Sequence, residues 1–580
     1  MAGETLTAHN DRAAILAQLT APEGPFALRD EDDGHLPPLR VHARLPDNLG
    51  ALLRQALTVA DREFLIYEDE RITYGAFVAR VTALARFLAG PCGVAPGDRV
   101  ALCMRNYPEW PIGFFACQAI GAVAVTLNAW WTGSELVYGL TDSGARWALI
   151  DGERLTRLAP VRDAIPEVNF VVARHDGALD RDVAWQAALD QVPDTTTTAS
   201  DALQRVLAAV SVGHGDLATI MYTSGTTGFP KGALHTHRNH LTNIRNTALS
   251  AAVARVQMGL PAVADAALTA QSTALQTFPL FHIGGLSGLY ITLVNGGRLV
   301  LMYKWDVEQA LDLIEREQVV GMSAVPTLVR QLLEHPRARA GALASVAGIT
   351  SGGAPVPPDL IRQIGDQFSA RVAPGNGYGA TETTSAVIVN SGADYLARPD
   401  SVGRPVATAM VRMVDDAGAI CAPGVVGELE VRGPNVFAGY WNKPAETAAA
   451  FHEGWFRTGD LGYVDADGFH HVIDRKKDVI IRGGENVYCA EVEGVLHAHP
   501  DIIDVALIGL PHRSLGEEVA AVIEVRPGAA LTVDHVQAHV ADRLARFNVP
   551  TRVFFVTEPM PRTATGKILK RELKTRYAEQ

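Results

Sequence analysis

The stretch that most constrains this chain runs from Tyr222 to Gly232 and reads YTSGTTGFPKG. It follows Leu217 to Tyr222, an apolar run whose length and composition predict a strand. Gly225, Gly228 and Gly232 let the backbone turn sharply and aim its N–H groups inward. Thr223, Ser224, Thr226 and Thr227 add hydroxyl donors, and Lys231 adds a compact positive charge. A strand that ends in such a loop is suited to a polyphosphate. The loop is not of the G-x-x-x-x-G-K type, because Pro230 stands where that pattern needs glycine.

The rest of the chain is long enough to support such a loop on a large core. With 580 residues there is room for roughly three or four domains or subdomains. Strands are predicted at Arg99–Met104, Ala122–Leu127, Ala145–Ile150 and Leu217–Tyr222, with a helix over Glu109–Ile120 between the first two. That alternation implies βαβ units and a parallel sheet. Short strands at Glu428–Val431 and Phe469–Val472 close the large region, and a βα-type pattern resumes after Arg475. Residues 1–45 carry the acidic run Asp30-Glu31-Asp32-Asp33 and read as a loosely packed extension; Gln191–Ser200 reads as a surface loop.

Charge and cysteine usage exclude several classes. Lys and Arg number 51 against 64 Asp and Glu, a net charge of −13, which is unsuited to coating nucleic acid. Five cysteines without a CxxC pair fit a reducing cytoplasm better than a disulfide framework. The start of the chain lacks a basic region followed by an apolar run, so no signal peptide is expected. The most apolar stretch, Ile112–Leu127, is broken by Gln118 and two glycines and is too short to span a bilayer; peripheral membrane contact stays open.

Further motifs carry chemistry of their own. In Gly375-Asn376-Gly377-Tyr378-Gly379-Ala380-Thr381-Glu382 a tyrosine among glycines can stack on a purine, and a carboxylate a short step on can hold Mg²⁺ beside phosphate oxygens. Ser351-Gly352-Gly353-Ala354-Pro355 is a small-residue turn that permits close approach. Asp460 in Thr458-Gly459-Asp460 can accept hydrogen bonds from a diol. Lys567 closes Pro561-Arg562-Thr563-Ala564-Thr565-Gly566-Lys567. His235, His237 and His240 could suggest a metal, but no Asp, Glu or Cys stands nearby, so a helix-start role is preferred to zinc. No G-x-S-x-G elbow occurs, which excludes a hydrolase of that type. Trp130 and Trp131 are read as packing in a strand-to-helix turn rather than as a gate.

Taken in order along the chain, these motifs resemble those of the adenylate-forming superfamily, which includes AMP-forming acyl-CoA synthetases, and the resemblance runs from about Leu45 to the C-terminus. It implies an α/β fold. A large N-terminal domain over 1–474 would hold parallel-sheet αβα subdomains and a small barrel-like part, followed by a small mobile α+β domain over 475–580. It implies ATP, Mg²⁺ and coenzyme A as ligands. Thr223, Ser224, Gly225, Thr226, Thr227, Gly228 and Lys231 would hold the phosphates. Gly353 and Ala354, with Asn376, Gly377, Tyr378, Gly379 and Thr381, would hold the adenine segment. Asp460 and Arg475 would bind ribose, Glu382 and Thr226 would take the metal, and Gly484 would line a pantetheine tunnel. Lys477 would be a hinge, and Lys567 would be the catalytic lysine, acting with Lys231, Glu382 and His282. Asn376 stands where many relatives carry Gln.

The acyl pocket implied by the resemblance takes in His282, Ile283, Gly284, Gly353, Gly379 and Ala380. His282 occupies the slot in which amino-acid-activating relatives place an aspartate, which argues against an α-amino acid. Gly379 replaces the tryptophan that closes the pocket of acetate-activating relatives, so an acyl group larger than acetyl is expected. The expected reaction joins a hydrophobic monocarboxylic acid to CoA through acyl-AMP, with a medium- or long-chain fatty acid first and an aryl or steroid-type acid as the alternative. With no carrier segment after residue 580, free CoA is the expected acceptor. An adenylating ligase with another acceptor, and a non-catalytic nucleotide-binding protein, are the competing classes. A homodimer is left open.

Overall fold

Parallel βαβ units dominate the fold. The computed structural model describes residues 12–179, 181–191, 198–223, 229–257, 259–262, 271–368, 371–563 and 566–578. The predicted strands occur as Arg99–Cys103, Val123–Thr126, Trp147–Asp151 and Leu217–Thr223, and the predicted helix as Glu109–Ala119. The strands belong to an eight-stranded sheet. Its parallel core runs Leu217–Thr223, Val123–Thr126, Arg99–Cys103, Trp147–Asp151, Asn169–Ala173, with Lys231–Thr236 antiparallel beside Leu217–Thr223.

A second sheet of nine strands has the same character. Its parallel core runs Ala373–Ala380, Gly348–Gly352, Gly321–Ala324, Thr273–Gln276, Arg298–Leu301 and Glu63–Tyr67. The helices Tyr74–Ala89, Glu109–Ala119 and Ile283–Val294 form a layer that both sheets share, with Phe64 and Leu299 of one sheet and Leu102 and Leu149 of the other in one continuous core. Glu109–Ala119 is buried on nearly every face, as a helix without a polar side must be. Trp110 stacks on Phe114 at 5.5 Å within it. Helix starts follow local sequence: Thr132 and Glu135 form a reciprocal capping box for Gly133–Ser143, and Thr73 caps Tyr74–Ala89.

A five-stranded antiparallel sheet, containing Gly427–Arg432, Trp455–Val464 and His470–Arg475, stands where a barrel-like part is expected. A bridge from Gly403 to His470 ties it to the end of the second large sheet. A further mixed sheet begins at Ile480 and holds the long antiparallel pair Ile502–His512 and Gly516–Val525. Its core is separate, around Val492, Leu496, Leu507 and Val536. No described helix is long and apolar enough to cross a membrane.

Three local expectations are corrected. The N-terminal extension is not loose from Arg12 onward: Ile15 and Leu19 of the helix Arg12–Thr20 pack on Leu249, Ala252 and Val253. Its acidic run is anchored, with Glu31 paired to Arg238 and Asp33 to Arg432. The loop read over 191–200 ends earlier, because Thr198 caps a helix over Ala199–Ala208; residues 192–197 lie outside the described residues. Of the paired tryptophans, Trp131 is packed in the core as expected, whereas Trp130 is exposed, with the Arg105 guanidinium over its ring at 3.9 Å.

Candidate active site

The carboxyl ends of parallel strands from both large sheets supply the site, the usual place for a ligand in such sheets. Thr223 ends a strand of the first sheet; Gly352 and Ala380 end strands of the second. Thr223 faces Lys231 across the antiparallel ladder. Ser224, Gly225, Thr226, Thr227 and Gly228, which include the expected metal hydroxyl, lie outside the described residues.

Where the phosphates are expected, two motifs far apart in sequence meet around one ring. The Lys231 amine lies 5.0 Å from the centre of the Tyr440 ring, and the Tyr440 hydroxyl donates to Glu382 Oε1 at 2.8 Å. Burial and the neighbouring carboxylate raise the Tyr440 hydroxyl above its ordinary range, which keeps it a donor. Glu382 sits in a single turn, Thr381–Thr383, immediately after the strand Ala373–Ala380. Its backbone is held on both sides: Phe437 N–H donates to the Glu382 carbonyl at 2.8 Å, and His235 Nε2 reaches the Thr381 carbonyl at 2.7 Å. One carboxylate beside a lysine fits Mg²⁺, which takes one or two protein carboxylates together with substrate phosphate oxygens.

The three histidines do not converge on a metal. His235 braces Thr381, His240 Nε2 pairs with the Thr219 hydroxyl at 2.9 Å, and His237 Nδ1 accepts from Leu49 N–H at 3.2 Å. Burial lowers His235 and His237 to about 4, so both are neutral posts near neutral pH.

At the residues expected to hold the nucleoside, the Tyr378 hydroxyl donates to Asp460 Oδ2 at 2.6 Å, and Arg475 Nε lies 3.3 Å from Asp460 Oδ1. Asp460 and Arg475 are direct partners across two antiparallel strands. The Thr458 hydroxyl accepts from Asp460 N–H at 3.1 Å and donates to the Leu429 carbonyl at 2.7 Å, which fixes the turn. Each carboxylate oxygen has a second lone pair, so Asp460 retains capacity for a diol. Asn376 is buried in the ladder between Ser351 and Asn390, and Gly377 lies against Ala386.

Gly379 lies at the end of the same strand, next to the Ser385 backbone. A Cβ there would lie 2.0 Å from the Ser385 carbonyl oxygen, at a bulge in the strand pair. In this backbone arrangement a side chain at Gly379 would have to displace the Ser385 carbonyl.

On the acyl side His282 caps the helix Ile283–Val294, its Nδ1 accepting from Gly284 N–H at 3.2 Å, and it stacks on Phe278. Ile283 is in the shared core, Gly284 and Ala380 are half-buried, and Gly353 is exposed. Gly353 lies across from Phe278, to which a Cβ would come within 3.5 Å. Asn106 holds this loop from the other sheet: it donates to the Phe278 carbonyl at 3.2 Å and accepts from Leu280 N–H at 2.8 Å.

Lys567 reaches the same region from the far end of the chain. Burial and the charges of Arg475 and Lys477 lower its amine from 10.5 to about 8, against the opposing pull of Asp460 and Asp478. Burial, with the charge of Lys567 nearby, lowers His282 to about 4. The loop before Lys567 abuts the second large sheet, with Gly566 close to Val325. A cation, a neutral imidazole and a carboxylate braced by Tyr378 and Arg475 therefore share one neighbourhood.

Lys477 is exposed in the turn between the strands His470–Arg475 and Ile480–Arg482. Gly483 and Gly484 form the two-residue loop of the hairpin that follows, with φ of +62° and +92°. Both angles suit glycine in such turns. Nothing lies within 4 Å of a Cβ placed on Gly484.

Two residues of the site, Tyr440 and Asn106, escape sequence reasoning. Tyr440 follows Gly439 in an aromatic pair, Tyr440-Trp441, and that pairing is its only signal. Asn106 is marked by nothing beyond its position after a strand.

The family model for AMP-binding enzymes matches residues 52–441, and that for the AMP-binding enzyme C-terminal domain matches residues 491–567. A feruloyl-CoA synthase of Amycolatopsis sp is 37% identical over 507 residues, covering 87% of this chain and 94% of the relative. A long-chain-fatty-acid–CoA ligase of Mycobacterium tuberculosis is 33% identical over 534 residues, covering 92% of this chain and 99% of the relative. The o-succinylbenzoate CoA synthetase of Bacillus subtilis, solved with its acyl-adenylate intermediate, superposes with a TM-score of 0.74 at 29% identity, covering 92% of this chain and 98% of that one.

Proposed function

The chain belongs to the AMP-binding enzyme family, and from that premise we propose that it joins an organic acid to coenzyme A in two steps, through an acyl-adenylate. In the first step the acid carboxylate attacks the α-phosphorus of ATP and pyrophosphate leaves. In the second the CoA thiol attacks the acyl carbonyl and AMP leaves. The observation that supports the reading is the Tyr440 ring, which faces Lys231 while its hydroxyl donates to Glu382 and so joins two motifs far apart in sequence.

Two anions repel as carboxylate approaches phosphate, and charge builds on the phosphoryl oxygens in the transition state. A buried ammonium between them relieves both, and is worth more in a water-poor site than in solution. Lys567 is assigned that role. His282 is neutral nearby, so it offers a hydrogen bond rather than a competing charge. Lys231 meets the phosphates at the mouth of the loop, and Tyr440 holds Glu382 beside it. Mg²⁺, bound through Glu382, would neutralise phosphate charge. Tyr378 presents its ring to the adenine while its hydroxyl orients Asp460 for the ribose. Gly353, Ala354 and Asn376 complete the nucleotide wall. Lys477 is the proposed hinge between a large unit over 1–474 and a mobile unit over 475–580.

The acid is assigned an apolar body, since Phe278, Ile283, Gly284 and Gly353 offer no cation for a second carboxylate. An aryl acid is favoured first, because the feruloyl-CoA synthase is the more similar of the two ligases above. A long-chain fatty acid is the second reading, supported by the mycobacterial relative matched over nearly its whole length. A pyrophosphate-release screen over phenylpropenoic, arylacetic and straight-chain acids, with and without CoA, tests both. Acid-dependent release and CoA-dependent loss of the adenylate are expected. Release that ignores every acid, or an adenylate that CoA does not consume, contradicts the proposed reaction.

A further inference from the structure

The turn that carries Lys477 is bracketed by a single residue from the C-terminal unit. Cys489 is the first residue of the helix Cys489–His497. Its backbone N–H donates to Asp474 Oδ2, on the strand before the turn. Its thiol donates to the Asp478 carbonyl at 3.1 Å, on the far side of Lys477. The Tyr488 side chain does not cap this helix, so Asp474 supplies from outside the anion that a helix start favours.

Both ends of this contact are tied down. Asp474 stands opposite Leu461 in the antiparallel sheet that carries Asp460, and its Oδ1 accepts from Arg475 N–H at 2.7 Å. The helix is held within the C-terminal unit by Glu493, which pairs with Lys570 at 2.7 Å and accepts from Leu507 N–H at 2.7 Å. Lys476 N–H donates to the carbonyl of Gly459, the neighbour of Asp460, at 2.8 Å. The bracket thus joins the element that bears Asp460 to the unit that bears Lys567.

We infer that Asp474 is a positioning residue for adenylate formation: its carboxylate, clasping the Cys489 N–H, holds the C-terminal unit in the orientation that brings Lys567 to Asp460 and His282. This rests on the reaction proposed above. Asp474 touches no reacting atom in this role. A rotation at Lys477 that carried the C-terminal unit elsewhere would have to release the bracket, so its strength sets how firmly the adenylating arrangement is held.

The test separates the two half-reactions in the full-length protein and adds a readout that needs no activity. Asp474→Ala is expected to slow adenylate formation about tenfold, the effect of one lost charge-assisted hydrogen bond. Thioester formation from supplied acyl-adenylate should be largely retained. Asp474→Asn, which keeps an acceptor oxygen, should recover most of the loss. Limited trypsin digestion reads the turn directly, since Lys476 and Lys477 are exposed; cleavage there should be faster in Asp474→Ala and near wild type in Asp474→Asn. Equal loss of both half-reactions, no rescue by Asn, or unchanged cleavage at the turn overturns the inference. If the wild-type protein forms no adenylate from any acid, the proposed reaction fails, and the cleavage comparison still decides whether Asp474 secures the turn. If Asp474→Ala does not fold, Cys489→Pro, which removes the clasped N–H at a first helical position that accepts proline, decides: wild-type cleavage and wild-type half-reaction rates overturn the bracket.

Discussion

Tyr440 links the two charged groups proposed for the phosphates, and its two ends act differently. The ring faces Lys231 and the hydroxyl holds Glu382. Tyr440→Phe keeps the ring and should lower adenylate formation about tenfold, in line with one hydrogen bond to a charged group, while raising the Mg²⁺ concentration needed for half-maximal rate. Tyr440→Ala should cost more, since the cation loses its aromatic partner as well. Pyrophosphate release measured against Mg²⁺ separates the two variants; equal rates for Phe and wild type would show that the hydroxyl carries nothing. Lys567 makes a pH prediction. Its amine is lowered to about 8, and the charged form is the one the proposed reaction uses. Adenylate formation at limiting substrate should therefore fall as pH rises through about 8, and Lys567→Arg should move or remove that limb. His282, lowered to about 4, is already neutral at neutral pH and should add no limb there. Residues of this kind are legible in sequence because charge, hydroxyl and glycine patterns are local. Tyr440 and Asn106 are not, since each acts by bridging segments far apart in the chain, and a single hydrogen bond leaves no pattern behind.

Elements are legible wherever burial imposes a period or a run. Glu109–Ala119 and the strands around it follow from apolar stretches of the right length. The helix Ala199–Ala208 is hidden because its cap, Thr198, ends a threonine run that reads as loop. The glycines of the adenine segment are visible in sequence, but the reason for them is not. Gly379 is held by contact with the Ser385 backbone, so Gly379→Ala should destabilise the protein by about 3 kcal/mol, the upper part of the range for forced overpacking. Gly484→Ala meets open space and bears only the cost of a positive φ, about 1 kcal/mol. Urea unfolding should rank Gly379→Ala as the more damaging, and only that variant should also lose adenylate formation. A harmless Gly379→Ala would mean that the bulge rearranges freely.

The whole molecule adds what no element contains, the meeting of its two ends. Arg526 reaches Glu334 at 3.3 Å from the C-terminal sheet to a helix of the large unit, and the loop at Gly566 lies against Val325. These contacts, with the bracket at Asp474, hold the unit that bears Lys567 against the unit that bears Asp460 and His282. Each motif and its order can be read along the chain; this arrangement cannot, because docking rests on shape and a few scattered ion pairs. The net charge of −13 is compatible with anionic ligands for the same reason: the proposed reaction calls for cations at Lys231, Arg475 and Lys567, not over the whole surface. The proposed chemistry depends most directly on Lys567, and the decisive measurement is the pair of half-reactions in Lys567→Ala. Adenylate formation, followed by pyrophosphate release, should be abolished, while thioester formation from supplied acyl-adenylate and CoA should be largely intact. Comparable loss of both, in a variant that folds normally, would contradict the role assigned to this lysine and with it the mechanism.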